Sequence, residues 1–128
     1  MKAQTSVCPC GSGAAYAYCC GPYHAGAAAP DAEQLMRSRY SAYVLGREDY
    51  LLATWHPDTR PQALNLDAPP CPQWRGLTVR AHNVQDADHA TVAFEARYKL
   101  NGRAYAFAET SRFVRRSGRW CYLDGDTA

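Results

Sequence analysis

Hydrophobic side chains recur every three or four positions in the segment after residue 30, as they do on the buried face of a helix. These positions are Leu35, Met36, Tyr40, Tyr43 and Val44. Asp31 can cap the first free amides, so we predict a helix that begins there and runs to about Gly46. Three polar residues lie partly off its apolar stripe, namely Arg37, Ser38 and Arg39.

A second, shorter helix is predicted from Arg47 to Trp55, where apolar residues again cluster. It must end by His56, because Pro57 disfavours helical backbone in the residue before it. The following segment, residues 57 to 73, carries five prolines and little periodicity. We therefore predict a long loop without regular structure.

Strand patterns fill the rest of the chain after Trp74. The predicted strands are Gly76 to Val84, His89 to Leu100, Ala104 to Arg116 and Trp120 to Asp124. The pairs Asn101-Gly102 and Ser117-Gly118 are typical of hairpin turns. Two helices followed by such strands indicate an α+β domain in which a curved antiparallel sheet surrounds the first helix like a cone.

The third predicted strand places a carboxylate on an aromatic face. Glu109 alternates with Tyr105, Phe107 and Phe113, so these side chains share one side of the sheet. A buried carboxylate there would need a partner such as an arginine. The polar residues that could face the cone are Arg37, Tyr40, Trp55, His56, Glu109, Ser111 and Asp124.

Two interpretations of these candidates remain open. In one, Glu109 or His56 is a general base for a small organic substrate that Arg37 or Arg39 orients. In the other, Glu109 belongs to a structural ion pair and His56 caps a helix end. Since no spacing of nucleophile, base and orienting residue is recognisable, we assign no catalytic residue and leave open whether the protein is an enzyme.

Composition and charge narrow the function classes. The 128 residues are 47% hydrophobic and 20% charged, which is typical of a folded domain, and the net charge is only +2. So small a charge gives no indication of a nucleic-acid partner. No apolar run approaches the roughly 20 residues needed to span a bilayer, and the first residues lack the apolar core of a secretion signal. We expect a cytoplasmic protein without a membrane partner.

Six cysteines in a reducing compartment favour metal binding over disulfides. Cys8, Cys10, Cys19 and Cys20 crowd into one short segment, and their spacing suits one tetrahedral ion, with Zn²⁺ the metal that four thiolates favour. His24 is an alternative to Cys20 as fourth ligand. Free thiols or disulfides are the other alternative, although a disulfide between the adjacent Cys19 and Cys20 would be strained. Cys71 and Cys121 are expected to be packing residues.

The motif Cys8-Pro9-Cys10-Gly11-Ser12-Gly13 through Cys19-Cys20-Gly21 resembles the SEC-C motif, which is named for the zinc-binding C terminus of the SecA preprotein translocase. Further segments make nearly the whole chain resemble the YchJ-like family of bacterial proteins. They are Gly21 to Gly26, Leu35 to Tyr43, Thr54 to Pro57 and Glu109 to Phe113. This resemblance implies a SEC-C zinc knuckle at residues 1–24, a connector at 25–30 and a domain similar to nuclear transport factor 2 at 31–128.

The resemblance also carries expectations about ligands and partners. It implies one structural zinc on Cys8, Cys10, Cys19 and Cys20. Many SEC-C motifs have lysines in the loop where this chain has Ala14, Ala15 and Ala17, which weakens any inference of docking on an acidic surface or nucleic acid. We expect an adaptor whose zinc knuckle binds a protein partner. The alternative is a small-molecule-binding or catalytic protein that uses the cone, and domains of this shape often form homodimers.

Overall fold

The computed structural model describes residues 6–127, so residues 1–5 and 128 of the predicted domains lie outside the described part. Within residues 6–127 three α-helices precede the strands, namely α1 (Gly21–His24), α2 (Ala32–Leu45) and α3 (Glu48–Ala53). Four strands follow, namely β1 (Gln73–Asp86), β2 (His89–Leu100), β3 (Arg103–Arg116) and β4 (Arg119–Thr127). The prediction of an α+β fold with a cone-shaped helix-and-sheet domain is therefore confirmed.

The four strands form one antiparallel sheet in the order β1-β2-β3-β4, as predicted. Asn101-Gly102 and Ser117-Gly118 form two of the turns, and all four residues have positive φ angles. Such backbone is easily adopted by glycine and tolerated by asparagine, which is why these pairs specify tight hairpins. β2 has the predicted bounds, whereas β1, β3 and β4 extend one to three residues beyond the predicted ends, because backbone pairing continues past the clear hydrophobic alternation.

Irregular pairing curves the sheet around α2. The register of β1 against β2 shifts at three places, and β3 against β4 shifts once after Arg112. Each extra residue in one strand bends that strand and increases its twist. The resulting concave face is covered by α2, which contacts β1, β2 and β4.

The boundaries of α2 follow the sequence signals closely. The side chain of Asp31 accepts a hydrogen bond of 2.8 Å from the backbone N–H of Gln34, and Gly46 ends the helix with φ +72°. Its interior differs from the prediction in two respects, because Ser38 and Arg39 are buried and Val44, which was predicted on the apolar face, is 36% exposed. The knuckle and α3 cover sides of α2 that the sheet leaves open, so that Ser38, Arg39 and Ser41 lie inside.

Helix α3 and the long loop form a second, smaller core against the end of α2 that carries Ala42. Ala42, Tyr50 and Leu51 are buried there, and Leu64 and Leu66 of the loop pack against them. The carboxylate of Glu48 accepts hydrogen bonds from the backbone of both leucines. Residues 57 to 72 contain neither helix nor strand, as predicted.

None of the helices within residues 6–127 is both long and apolar enough to cross a membrane.

The capping hydrogen bond of α2 is testable by mutation. Replacing Asp31 by Ala leaves the amide of Gln34 without its acceptor and should lower the free energy of unfolding by about 1 kcal/mol. Asp31→Ser is the matched control, since serine caps nearly as well. Urea denaturation should place Asp31→Ser near the wild type, and equal losses in both variants would contradict the capping role.

Candidate metal centre and cavity

The cysteine-rich segment folds as a small loop closed by backbone hydrogen bonds. The N–H of Cys8 donates to the carbonyl of Ala14, and the N–H of Tyr16 donates to that of Ser6, both at 2.8 Å. Gly11 and Gly13 turn the loop with φ angles of +83° and +87°, which other residues rarely adopt. This loop presents the first two cysteines to the second pair.

The four cysteines predicted as ligands come together. The sulfurs of Cys8, Cys10, Cys19 and Cys20 all lie within 4.8 Å of one another, and the Sγ atoms of Cys10 and Cys19 are 3.6 Å apart. Four sulfurs placed about 2.3 Å from a single tetrahedral ion would lie about 3.8 Å apart. The cluster could hold a metal ion with only a small contraction. All six cysteines are free of disulfide bonds.

Ionisation of the thiols is interdependent. The hydrogen bond from the Cys20 thiol lowers the pKa of Cys10 to about 4, and the same hydrogen bond raises the pKa of Cys20. Burial raises the pKa of Cys19. One thiolate is thus stabilised by its neighbours, whereas further thiolates would repel it, and a divalent cation among them would compensate the repulsion.

Two serine hydroxyls support the sulfurs. Ser41, on α2, donates to the sulfur of Cys20 at 3.3 Å and lies 3.5 Å from that of Cys8. The hydroxyl of Ser12 lies 3.1 Å from the sulfur of Cys19. Groups around a metal's ligands orient them and tune their basicity. Ser41 therefore links the metal centre to the helix of the larger domain.

His24 does not join the cluster. Its Nε2 lies 2.8 Å from the backbone carbonyl of Ser38, and its Nδ1 lies 2.6 Å from the hydroxyl of Tyr16. A carbonyl can only accept, so Nε2 carries the proton and Nδ1 accepts from the tyrosine. Burial lowers the pKa of His24, which favours this neutral form. With both ring nitrogens engaged, His24 fastens the knuckle to α2.

The knuckle packs into the main core of the protein. Cys8, Cys10 and Cys20 are buried in the same cluster as Leu35 of α2 and Phe94 of β2. Arg37 adds a polar contact by donating to the backbone carbonyl of Cys10 at 3.1 Å. The cysteine cluster therefore forms one end of the space between helix and sheet.

A cavity of about 260 Å³ lies between α2, the concave face of the sheet and Trp55, which follows α3. Most of its wall is aromatic, formed by Tyr40, Tyr43, Trp55, Trp74, Phe94, Phe107, Phe113 and Tyr122. Arg39, Glu109 and Ser111 add polar atoms to this wall. The space suits a molecule of on the order of ten non-hydrogen atoms, given that a water molecule occupies about 30 Å³ in the liquid.

Glu109 is held on the cavity wall by two hydroxyl groups. Its Oε2 atom accepts hydrogen bonds from Ser111 at 2.6 Å and from Tyr122 at 3.1 Å. Gly125 on β4 makes room for this carboxylate, because a Cβ atom there would collide with it. Burial raises the pKa of Tyr122, and the Glu109 carboxylate raises it further. The second carboxylate oxygen, Oε1, has no hydrogen-bond donor among the described residues.

Arg39 faces the same space from α2. Its Nη1 donates to the backbone carbonyl of Leu51 and to the hydroxyl of Thr54 at 2.8 and 2.7 Å. The guanidinium carbon lies 4.9 Å from the ring centre of Trp55 and 4.7 Å from that of Tyr122, in cation–π geometry. Burial lowers the pKa of Arg39. Within residues 6–127, Arg39 and Glu109 form no ion pair with each other.

The cavity brings together four of the predicted polar candidates, namely Tyr40, Trp55, Glu109 and Ser111. Three others lie elsewhere. Arg37 contacts Glu33 and the knuckle, and His56 lies in the turn after α3, where Nδ1 accepts from the amide of Asp58. Asp124 pairs with Arg112. Arg37, His56 and Asp124 are therefore corrected as cavity residues. Helix phase directs Arg37 away and the turn directs His56 away, whereas the register shift after Arg112 interrupts the alternation of β4 and places Asp124 beside Arg112.

The cavity wall also includes Tyr43, Trp74 and Tyr122, which the sequence patterns did not identify as lining residues. Tyr122 lies two positions after the buried Trp120 on β4, so strand alternation could have indicated that it faces the inside of the sheet. Trp74 contacts the rings of Tyr40 and Tyr43 directly, at centre distances of 5.8 and 5.9 Å. That contact depends on the path of the preceding proline-rich loop, which local patterns do not specify.

Models of known families match both parts of the chain. The family model described as YchJ, middle NTF2-like domain, matches residues 31–125. The SEC-C motif matches residues 5–22 and thus includes all four clustered cysteines. The resemblance inferred from the sequence motifs is confirmed.

Relatives and solved structures agree with this match. The chain is 57% identical to a UPF0225 protein of Ralstonia nicotianae, over 97% of this chain and 93% of the relative. It is 58% identical to a UPF0225 protein of Xanthomonas campestris pv. campestris, over 94% of both. A SEC-C motif containing protein from Rhodopseudomonas palustris has a similar solution structure, with TM-score 0.83, 32% identity and coverage of 94% of this chain and 98% of that one.

A second similar structure is the crystal structure of a SEC-C motif containing protein from Psychrobacter arcticus. The TM-score is 0.82 at 31% identity, and the similarity covers 100% of this chain and 86% of that one.

Metal binding by the cysteine cluster can be tested by elemental analysis. The wild type should carry about one metal ion per chain, and Cys10→Ser should carry almost none, because three thiolates leave the site open. Cys71→Ser is the matched control, since Cys71 is exposed and outside the cluster. Equal metal content in the wild type and Cys10→Ser would contradict the assignment.

Proposed function

The chain belongs to the YchJ family, in which a SEC-C motif precedes an NTF2-like domain, and from this premise we propose that it is a zinc-stabilised protein that binds a small organic ligand in its cone-shaped cavity. The observation that carries the proposal is the pair Arg39 and Glu109. Both line an otherwise aromatic cavity, and each keeps polar atoms that no described residue engages.

Zinc is the metal that best fits the donor set. A set of four cysteine sulfurs favours Zn²⁺ in a closed structural site. Three of the four cysteines are buried, and their sulfurs face the core rather than a cleft. In this proposal the metal supplies folding energy to a segment too small to fold by burial alone. The elemental analysis described above identifies the metal, and a different dominant metal would overturn this part.

The cavity has the features of a binding site rather than of a packing defect. Voids in native cores are usually apolar, whereas this one has a cation and a carboxylate in its wall. Unpaired polar groups around an aromatic space are how small-molecule sites combine affinity with orientation.

We test ligand binding with a library of small aromatic fragments and ligand-observed NMR on the metal-loaded protein. At least some fragments should bind with a dissociation constant of roughly 1 mM or tighter, which is about −4 kcal/mol. Ala96→Leu should abolish binding, because Ala96 lines the cavity and a larger side chain fills it.

Ala93→Leu is the matched control, since Ala93 lies on the same strand but outside the cavity lining. Binding that survives Ala96→Leu as well as it survives Ala93→Leu would place the fragments elsewhere and contradict the proposal.

A second candidate function is an adaptor that binds a protein partner through the knuckle. Two apolar side chains of the knuckle are strongly exposed, Val7 at 65% and Tyr18 at 86%. Exposed side chains of this kind mark interaction surfaces when they adjoin. The fixed loop around the metal would hold them in one geometry.

The adaptor function predicts that the double variant Val7→Ser, Tyr18→Ser loses a partner that the wild type retains in affinity capture. Metal content and fragment binding should be unchanged, because neither side chain contacts the cysteine sulfurs or lines the cavity. Tyr105→Ser, which alters an exposed tyrosine of the sheet, is the control. Identical partners for all three proteins would argue against the adaptor function.

A further inference from the structure

Arg39 and Glu109 both contact Tyr122 in the cavity wall, Arg39 over its ring and Glu109 at its hydroxyl, and they differ in hydrogen-bonding character. On the helix side, the Nε and Nη2 groups of Arg39 are donors without an acceptor among the described residues. On the sheet side, Oε1 of Glu109 is an acceptor without a donor. A ligand that satisfies both sides must present an acceptor to the arginine and a donor to the carboxylate.

The charges of the wall limit the charge of the ligand. Arg39 and Glu109 contribute opposite charges to one enclosed space, and other charged side chains are absent from its lining within the described residues. A ligand with a net charge would therefore lose its hydration without gaining an unopposed counter-charge. Neutral ligands are favoured.

The shape of the wall limits the ligand further. Aromatic rings surround the space, among them Tyr43, Trp55, Trp74, Phe94 and Phe107. Flat rings pack most efficiently against such surfaces by stacking or by edge-to-face contact. The volume of about 260 Å³ admits one or two fused rings.

We propose that the cavity binds a small, neutral, planar heterocycle with a carbonyl group beside a ring N–H, the lactam edge of a pyridone, quinolone or pyrimidinone. The ligand carbonyl accepts from Arg39, and the ligand N–H donates to Oε1 of Glu109. Ser111 and Tyr122 hold the other carboxylate oxygen, so that Oε1 is fixed toward the ligand. This inference rests on the proposed function, since it names the ligand class of the same cavity.

The hydrogen bond to Glu109 is the specific element of this arrangement. Bonds to a carboxylate are stronger than bonds between neutral groups, and a ligand without the N–H would leave Oε1 buried and unpaired. Discrimination should therefore depend on one hydrogen atom of the ligand, which the matched probes below remove.

The probe is 2-quinolone, compared with 1-methyl-2-quinolone, which lacks the N–H, and with naphthalene, which lacks both polar groups. Titration of the metal-loaded protein is followed by the indole Nε1–H signal of Trp55, which lies in the cavity wall. We expect 2-quinolone to bind at least ten-fold more tightly than either control. This comparison needs no variant protein and so does not depend on the folding of a mutant.

A variant then assigns the preference to Glu109. Glu109→Gln should reduce the affinity for 2-quinolone at least five-fold and leave that for naphthalene unchanged. Glu95→Gln is the matched control, because Glu95 lies on β2 outside the cavity, paired with Arg80 and Arg97. It should change neither affinity.

The outcomes separate the two proposals. If naphthalene and 1-methyl-2-quinolone bind as tightly as 2-quinolone, the lactam inference is overturned while the cavity remains a binding site. A preference for 2-quinolone that survives Glu109→Gln also overturns it. If none of the probes or library fragments binds, the proposed function fails together with the inference.

Discussion

The burial of α2 on nearly all sides is the constraint on which the rest of the structure depends. The helix meets the sheet through Leu35, the knuckle through Ser41 and the second core through Ala42. Because Ser38, Arg39 and Ser41 in its middle are buried, each of them must find a polar partner inside the protein. These partners position both the metal centre and the cavity.

Two nearby residues of α2 serve the cysteine cluster and the cavity. Ser41 donates to a cysteine sulfur, and Arg39, two positions earlier, faces the cavity between the rings of Trp55 and Tyr122. A helix is stiff over this distance, so the metal centre and the cavity share one rigid support. Although the connector separates the knuckle from the larger domain in sequence, the cysteines and the strands pack in one core.

The sheet supplies the opposite wall by departing from regular geometry. Bulges bend β1, and the shift between β3 and β4 lies beside the residues that hold Glu109. Gly125 leaves the space that the carboxylate occupies. The acceptor side of the cavity thus depends on irregular pairing and on one missing side chain, whereas the donor side depends on a regular helix.

The sequence by itself determined α2, α3, the strands, two of their turns and the four clustered cysteines, because these follow from local periodicity, capping residues and ligand spacing. It did not indicate the short helix α1. It also placed Glu109 on the aromatic face of β3, since alternation along a strand is fixed. Tertiary structure decided that Arg39 faces the cavity whereas Arg37 contacts the knuckle. Both lie on one helix, and only the packing of the knuckle, α3 and the sheet around it determines which side each neighbour covers.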